Sequence, residues 1–426
     1  MNNNNKVHSI CIVGLGYVGL PLAVEFGKIY STLGFDIDDS RIKELSNYRD
    51  RTGEVSYDQL KSAKYLQLTS DSSALDIANI YIVTVPTPID KNNIPDLELL
   101  KSASQTIGTY LKHDDIVIYE STVFPGATEE ICVPILEQAS GLKLNDDFSV
   151  GYSPERINPG DKVNTIRTIT KITSGSNAVA ANKIDNLYRS IIDAGTYLAH
   201  DIKTAEAAKV IENTQRDLNI AIINEFSKIF NCLDIDTESV LNAAATKWNF
   251  LQFKPGLVGG HCIGVDPHYL AFKAIQTGYH PELILAGRRM NETMSIHCAH
   301  QMIKAMACKN LILHNSRVLV MGITFKGNCP DIRNTKVIDL VRELKSFNLQ
   351  VDIYDPCADP NEVYEAFNVE LTNTLVPDSY DGIILAVDHT SVKEMGQQFI
   401  RSLGKDPHVL FDMKYLFAKN ESDLRM

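Results

Sequence analysis

The sequence predicts an α/β fold in which two doubly wound parallel sheets are joined by a helical middle. Three observations carry this. Short apolar runs end in Gly, Pro or polar loops and alternate with helical stretches over roughly the first two hundred residues. A long run without Gly or Pro, Thr204–Phe230, breaks that alternation. The alternation then resumes at Arg317.

Ser9–Val13 is an apolar run ending in a glycine loop, and Leu20–Lys28 has helical character. Thr32–Asp36, Ile80–Val85, Ile116–Tyr119, Phe148–Gly151 and Thr170–Ser174 read as further strands of the first sheet. Helices are expected over Thr204–Phe230, Asp236–Ala245 and Pro281 to about Lys309. In the last third, Arg317–Met321, Leu349–Tyr354, Gly382–Val387 and His408–Phe411 read as strands, with a helix over Asn334–Phe347. The expected domains are 1–202, a nucleotide-binding sheet domain; 203–310, a helical spacer suited to dimer contacts; and 311–426, a second sheet domain. The first loop of that last domain, Gly322-Ile323-Thr324-Phe325-Lys326-Gly327, lacks a full dinucleotide pattern.

Composition excludes several classes. Apolar residues make up 44% and charged residues 22%, ordinary for a soluble globular enzyme. A formal charge of −12 argues against nonspecific nucleic-acid binding, which needs clustered cations. No apolar run approaches the ~18–20 residues of a membrane span. The start, Met1-Asn2-Asn3-Asn4-Asn5, has neither a basic nor an apolar stretch and reads as a frayed tail, not a signal peptide. Eight scattered cysteines without paired spacing point to the reducing cytoplasm.

The loop Gly14-Leu15-Gly16-Tyr17-Val18-Gly19 follows a strand and opens a helix, which makes the first sheet domain Rossmann-like. Gly14 permits the tight turn, Gly16 lets backbone approach a pyrophosphate, and Gly19 lets helix pack on strand. Asp36, at the end of the next strand, accepts ribose hydroxyls and repels a 2′-phosphate, so the expected cofactor is NAD. Arg41 is a nearby cation able to stack on adenine or meet such a phosphate.

The chemistry is carried by Cys262, in Gly259-Gly260-His261-Cys262-Ile263-Gly264-Val265-Asp266-Pro267. A dinucleotide site with a cysteine set in a glycine-rich turn points to oxidation of an alcohol to an acid. A thiolate holds the intermediate aldehyde as a thiohemiacetal, and its oxidation gives a thioester that water cleaves. Asp266 is a group to activate water or hold a proton. Lys209, Asn213 and Arg216 stand at i, i+4 and i+7 of the long helical run, on one face. The lysine suits alkoxide or thiolate charge, and the amide suits a sugar oxygen. Strand-end loops at Thr87, at Thr122 and at Ser153–Gly160 lie on the ligand edge of the first sheet. Phe325, Lys326 and Arg333 occupy the matching edge of the second, suited to a diphosphate and a base. His297 and His300 have no third ligand in pattern, and no metal site is expected.

Together these residues resemble the nucleotide-sugar 6-dehydrogenases of the UDP-glucose/GDP-mannose dehydrogenase family, over nearly the whole chain and in order. The runs Ser153–Gly160, Lys209–Arg216 and Gly259–Pro267 are most similar to the UDP-N-acetylhexosamine branch, which serves surface polysaccharide synthesis. The resemblance implies Cys262 as nucleophile, Lys209 as proton donor or acceptor, and Asn213 and Asp266 as assistants. It implies that Thr122 and Glu155 organise water. It implies NAD contacts by Tyr17, Val18, Asp36, Arg41, Thr87, Thr122 and Arg333. UDP-sugar contacts follow for Arg156, Ile157, Arg216, Lys326 and the Phe250–Lys254 loop, within a homodimer or larger homo-oligomer. Two positions depart from the UDP-glucose enzymes: Pro159 stands where they have a second glutamate, and Val265 where they have a lysine. Glu155 and Asp266 are then the candidates for the water-activating base. The expected substrate is UDP-N-acetylglucosamine, or its galacto epimer. UDP-glucose oxidation, a two-electron β-hydroxyacid-type dehydrogenase and a noncatalytic nucleotide-sugar-binding protein are the alternatives.

Overall fold

The computed structural model describes residues 9–157, 164–260 and 262–426. The asparagine-rich start, Asn158, Pro159 and Gly160 of the strand-end loop, and His261 lie outside the described residues. Packing groups the chain into two compact units, Met1–Glu212 with His268–Tyr279, and Asn213–Pro267 with His280–Met426. The helical middle expected over 203–310 is thus shared between them, because its first turns and residues 268–279 pack with the first sheet.

The first unit holds an eight-stranded sheet. In chain order its strands are β1 (Ser9–Val13), β2 (Ser31–Phe35), β3 (Leu66–Thr69), β4 (Ile80–Val83), β5 (Ile116–Tyr119), β6 (Ser149–Tyr152), β7 (Lys171–Gly175) and β8 (Thr196–Leu198). Their order across the sheet is β3-β2-β1-β4-β5-β6-β7-β8. Ile10, Ile12, Ile80, Ile82, Ile116 and Ile118 share one apolar cluster with Leu20, Phe26, Ile184 and Tyr188 from the helices. Central strands covered on both faces are apolar throughout, which is why they are legible as apolar runs. The short strands β3 and β8 carry no such run, and the sequence gives no signal for either. One pairing also departs from the expected parallel sheet: β7 runs antiparallel to β6, with Gly151 opposite Gly175 and Tyr152 opposite Ser174.

The second unit holds five parallel strands, β9 (Arg317–Met321), β10 (Gln350–Tyr354), β11 (Tyr380–Leu385), β12 (Gly404–Asp412) and β13 (Leu424–Arg425), ordered β10-β9-β11-β12-β13. The helix Glu282–Cys308 packs on this sheet through Met294, Cys298, Met302 and Met306. A Cβ on Gly382 of β11 would lie 2.0 Å from the end of Met302, so any larger residue there would have to displace that side chain.

The two sheets repeat one device. Gly14 has φ +94° and Gly322 has φ +100°, a region that favours glycine. The Gly14 amide donates to Phe35 at 2.8 Å, and the Gly322 amide donates to Tyr354 at 2.8 Å. An aspartate after the second strand of each sheet then accepts the next amide: Asp36 from Leu15 at 2.8 Å, and Asp355 from Ile323 at 2.6 Å.

Candidate active site

In the first unit the glycine turn is built for a close ligand. A Cβ on Gly19 would lie 1.9 Å from the Gly14 carbonyl, so helix and turn meet only through glycine. The Thr84 hydroxyl donates to that same carbonyl at 2.7 Å. Above Gly16 the space is open, with nothing within 4 Å of where a Cβ would stand. Tyr17 is half-buried, and Val18 is buried. The two oxygens of Asp36 each accept one amide, from Leu15 and Asp38, which leaves further lone pairs for hydroxyls. An open turn, an amide-rich helix start and an acidic strand end fit a dinucleotide bearing free ribose hydroxyls.

Arg41 is not an open cation. It is buried, its Nε donates to the Leu15 carbonyl at 2.9 Å, and its other nitrogens meet Glu44 and Asp50. Its position supports the turn from beneath. Thr87 donates from its hydroxyl to the Thr122 carbonyl at 2.7 Å, tying two strand-end loops together. Two further supports of this edge carry no sequence signal. The buried Tyr269 hydroxyl donates to the Thr87 carbonyl at 2.8 Å. Buried Glu206 accepts the amides of Gly126 and Thr128, at 2.5 and 2.9 Å, at the end of the Thr122 loop. Burial pushes the Glu206 carboxyl up to about 7.

Glu155 is buried beyond the end of β6. Its Oε1 accepts the amides of Arg156 (2.6 Å) and Ile157, while its Oε2 has no hydrogen-bond partner among the described residues. Arg156 pairs with Glu212 at 2.8 Å and donates to the Thr170 carbonyl at 2.7 Å, and Ile157 packs on the first core. Lys209 is buried on the helix Ile202–Cys232, one turn before Asn213. Arg216, seven residues beyond Lys209, is exposed.

In the second unit the Cys262 turn leads into the helix Asp266–Gln276. The Cys262 carbonyl accepts the amides of Val265 and Asp266 at 3.0 and 2.9 Å. Asp266 is buried and accepts the side-chain amide of Asn213 at 2.6 Å. The glycines before the cysteine are set by the loop after β9. A Cβ on Gly259 would lie 2.8 Å from the Asn334 carbonyl, and one on Gly260, at φ +83°, would lie 3.0 Å from the Phe325 ring. The cysteine turn and the Phe325–Lys326 loop are therefore in direct contact. The Lys326 ammonium stands 5.5 Å from the Phe325 ring centre. Arg333 is exposed and paired with Asp331. Phe250 is half-buried, and Lys254 is exposed, 3.8 Å from Glu238 and over the Tyr415 ring.

A buried network that the sequence did not disclose holds this loop. Asn224 mimics a peptide, accepting the Gly256 amide at 2.8 Å and donating to the Gly256 carbonyl at 3.0 Å. Asn224 also donates to Asn291, which donates to Asp217, which pairs with Arg288 at 2.6 Å. The Arg288 guanidinium lies beside Gly264.

Burial pushes Cys11, Cys132 and Cys298 up to about 12, which makes them inert packing thiols. Cys262 is only partly buried. Among the described residues one group, Asp355, Cys357 and His389, has metal-ligating atoms within 4.8 Å of one another. Asp355 and His389 of this group also hold the turn. Asp355 accepts the amides of Ile323, Thr324, Cys357 and Ala358, and the His389 Nδ1 accepts the Asn328 amide. His300 reaches Glu343 at 2.7 Å, and burial holds the His297 imidazole down at about 4.

The NAD binding domain, central domain and UDP binding domain of the UDP-glucose/GDP-mannose dehydrogenase family match residues 8–192, 203–293 and 319–419. A UDP-N-acetyl-D-glucosamine 6-dehydrogenase of Pseudomonas aeruginosa is 57% identical over 98% of this chain and 99% of its own. One of Salmonella typhi is 56% identical over 98% of each. The solved structure of a UDP-D-ManNAc dehydrogenase from Pyrococcus horikoshii superposes with a TM-score of 0.88 at 30% identity, covering 96% of both chains. With three consecutive domains matched, the chain belongs to the UDP-glucose/GDP-mannose dehydrogenase family.

Proposed function

We propose that the chain oxidises C6 of UDP-N-acetylglucosamine from alcohol to carboxylate through a thioester on Cys262. The observation that carries this is the seat of Cys262: a partly buried thiol in a glycine turn packed on the Phe325–Lys326 loop, immediately before the Asn213–Asp266 pair. Identities of 56–57% to UDP-N-acetyl-D-glucosamine 6-dehydrogenases, against 30% to a UDP-D-ManNAc dehydrogenase, support the gluco substrate.

Bound NAD supplies the hydride acceptor. Gly14, Gly16 and Gly19 with the amides around Tyr17 and Val18 hold its diphosphate, and Asp36 holds the ribose, with Thr87, Thr122 and Arg333 as further contacts. Arg41 acts indirectly, by holding the Leu15 carbonyl. Lys326 and Phe325 take the UDP diphosphate and base, and Arg156, Ile157, Arg216, Phe250 and Lys254 complete the sugar-nucleotide contacts.

Lys209 takes the proton from the C6 hydroxyl and steadies the oxygen charge while a first hydride leaves C6 for bound NAD. The Cys262 thiolate adds to the resulting aldehyde, and loss of the second hydride leaves a thioester. Asn213 and Asp266, joined to one another, orient the reacting group. Glu155 is the better base for hydrolysis, because among the described residues its Oε2 has no hydrogen-bond donor, whereas Asp266 already accepts from Asn213. Thr122 helps seat the water. Where the UDP-glucose enzymes have two glutamates, one suffices here.

The assembly is a homodimer or a larger homo-oligomer. Ile222, Phe226 and Ile229 along one side of the long helix, with Leu233 just past its end, are all exposed, an apolar stripe that a second copy covers. No disulfide joins any of the eight cysteines, which agrees with a cytoplasmic setting. Among the described residues no helix is long and apolar enough to cross a membrane.

The test is a parallel assay of UDP-N-acetylglucosamine, UDP-N-acetylgalactosamine and UDP-glucose with NAD, products identified by mass. Carboxylate from the gluco N-acetyl substrate at the highest kcat/KM supports the reading. Preference for UDP-glucose overturns it.

A further inference from the structure

We propose that Lys171 is a positioning residue for thioester hydrolysis, dividing one positive charge between Glu155 and a second, fully buried carboxylate, Glu120. The proposal rests on the reading of Glu155 as the hydrolytic base.

The antiparallel exception in the first sheet sets the geometry. With Gly151 opposite Gly175 and Tyr152 opposite Ser174, antiparallel β7 has its first residue, Lys171, at the end where the chain leaves β6 for Glu155. Contacts on either side keep that alignment: Ser153 donates to the Ile172 carbonyl at 2.7 Å, and Arg156 donates to the Thr170 carbonyl at 2.7 Å. A parallel β7 would carry Lys171 to the opposite end of the sheet.

Lys171 is buried, and its ammonium lies 2.6 Å from Glu120 Oε2 and 3.8 Å from Glu155 Oε2. Glu120 is the residue after β5, wholly buried, and its other oxygen accepts from the Tyr188 hydroxyl. The Lys171 ammonium also stands 5.4 Å from the Tyr188 ring centre. Among the described residues, the charge of Glu155 is felt by Lys171 on β7, Glu120 at the end of β5 and Tyr188 on the helix Ala178–Arg189. The neighbouring Arg156 guanidinium turns away to Glu212.

Two buried carboxylates thus share one ammonium. Burial raises the Glu120 carboxyl, Lys171 lowers it, and the charge of Glu155 raises it again. The arrangement leaves Glu155 Oε1 pinned by two amides and Oε2 turned to a single charge 3.8 Å away. In the hydrolysis step the water oxygen bonds to the acyl carbon and the carbon–sulfur bond breaks. The Cys262 thiolate leaves with its electron pair, and the water proton passes to Glu155.

Charge sharing makes the two neighbours act in opposite directions. With NAD and UDP-N-acetylglucosamine, Lys171→Met moves the acid limb of the acid-forming rate to higher pH by about one unit, because ionising either carboxylate loses its partner. Glu120→Gln, nearly isosteric, moves it to lower pH, because Lys171 then serves Glu155 alone. Lys171→Arg restores the limb, and KM for both ligands stays near wild type. If Lys171→Met fails to fold, the shift to lower pH in Glu120→Gln and a wild-type acid limb in Lys171→Arg still decide the matter. Glu155→Gln is measured alongside, by intact mass after acid quench. Wild-type hydrolysis in that variant overturns the base and this proposal with it. If it accumulates acyl-enzyme while Lys171→Met and Glu120→Gln lose rate equally at every pH, the base stands and the role of Lys171 is overturned.

Discussion

The side-chain amide of Asn213 donates to the Asp266 carboxylate at 2.6 Å, joining the long helix to the helix that follows the Cys262 turn. Asp266 is buried, so Asn213→Ala removes a hydrogen bond that solvent does not readily replace. The expected cost is about 1–3 kcal/mol of stability, read from urea unfolding, with a fall in kcat larger than any change in KM. A variant with wild-type kcat would remove the pair from the reaction.

Gly260→Ala puts a side chain at φ +83° and within 3.0 Å of the Phe325 ring. Strain of about 1–3 kcal/mol is expected there. The alanine displaces either the cysteine turn or the Phe325–Lys326 loop, so KM for the UDP-sugar rises while NAD affinity holds. Titration of each ligand by fluorescence separates the two. Equal losses for both ligands would contradict the separate seats assigned to them.

Glu206 predicts a pH dependence of stability. Its folded carboxyl stands at about 7 against an ordinary 4.5. Across that window the folded chain keeps a proton that the unfolded chain has released, so this contribution to stability falls as pH rises from 4.5 to 7 and then levels. Glu206→Gln should flatten that part of the curve, measured as urea midpoints from about pH 5 to about pH 8. The same slope in both proteins would place the titration elsewhere.

How much of the fold and site is legible in the sequence follows from the range of each interaction. The turn Gly14–Gly19 and Asp36 are readable because their residue types are demanded by local backbone geometry, and the long helix because nothing interrupts it. Strand β3, with the sequence Leu66-Gln67-Leu68-Thr69, offers no apolar run, and the reversed direction of β7 leaves no mark in its own residues. The hold of Asn224 on Gly256, 32 residues away, and of Lys171 on Glu120, 51 residues away, depends on packing that no local pattern encodes. Arg41 shows the converse. Its charge beside the dinucleotide turn suggests a ligand contact, yet Asp50 and Glu44 bury it under the turn.

Cys262→Ser tests the nucleophile. Serine is far less nucleophilic at neutral pH, so turnover to the acid should fall by orders of magnitude while NAD and UDP-sugar still bind. Calorimetry of both ligands and mass analysis of the product read the two halves of that statement. Near-normal acid formation by the variant would sink the thioester route.

The most direct measurement is the NADH yield per UDP-N-acetylglucosamine with the sugar limiting. Carrying an alcohol to an acid on Cys262 requires two hydride transfers, so two NADH are expected for each carboxylate formed. One NADH with an aldehyde product would contradict the thioester chemistry, and would return Cys262 to the ranks of the packing thiols.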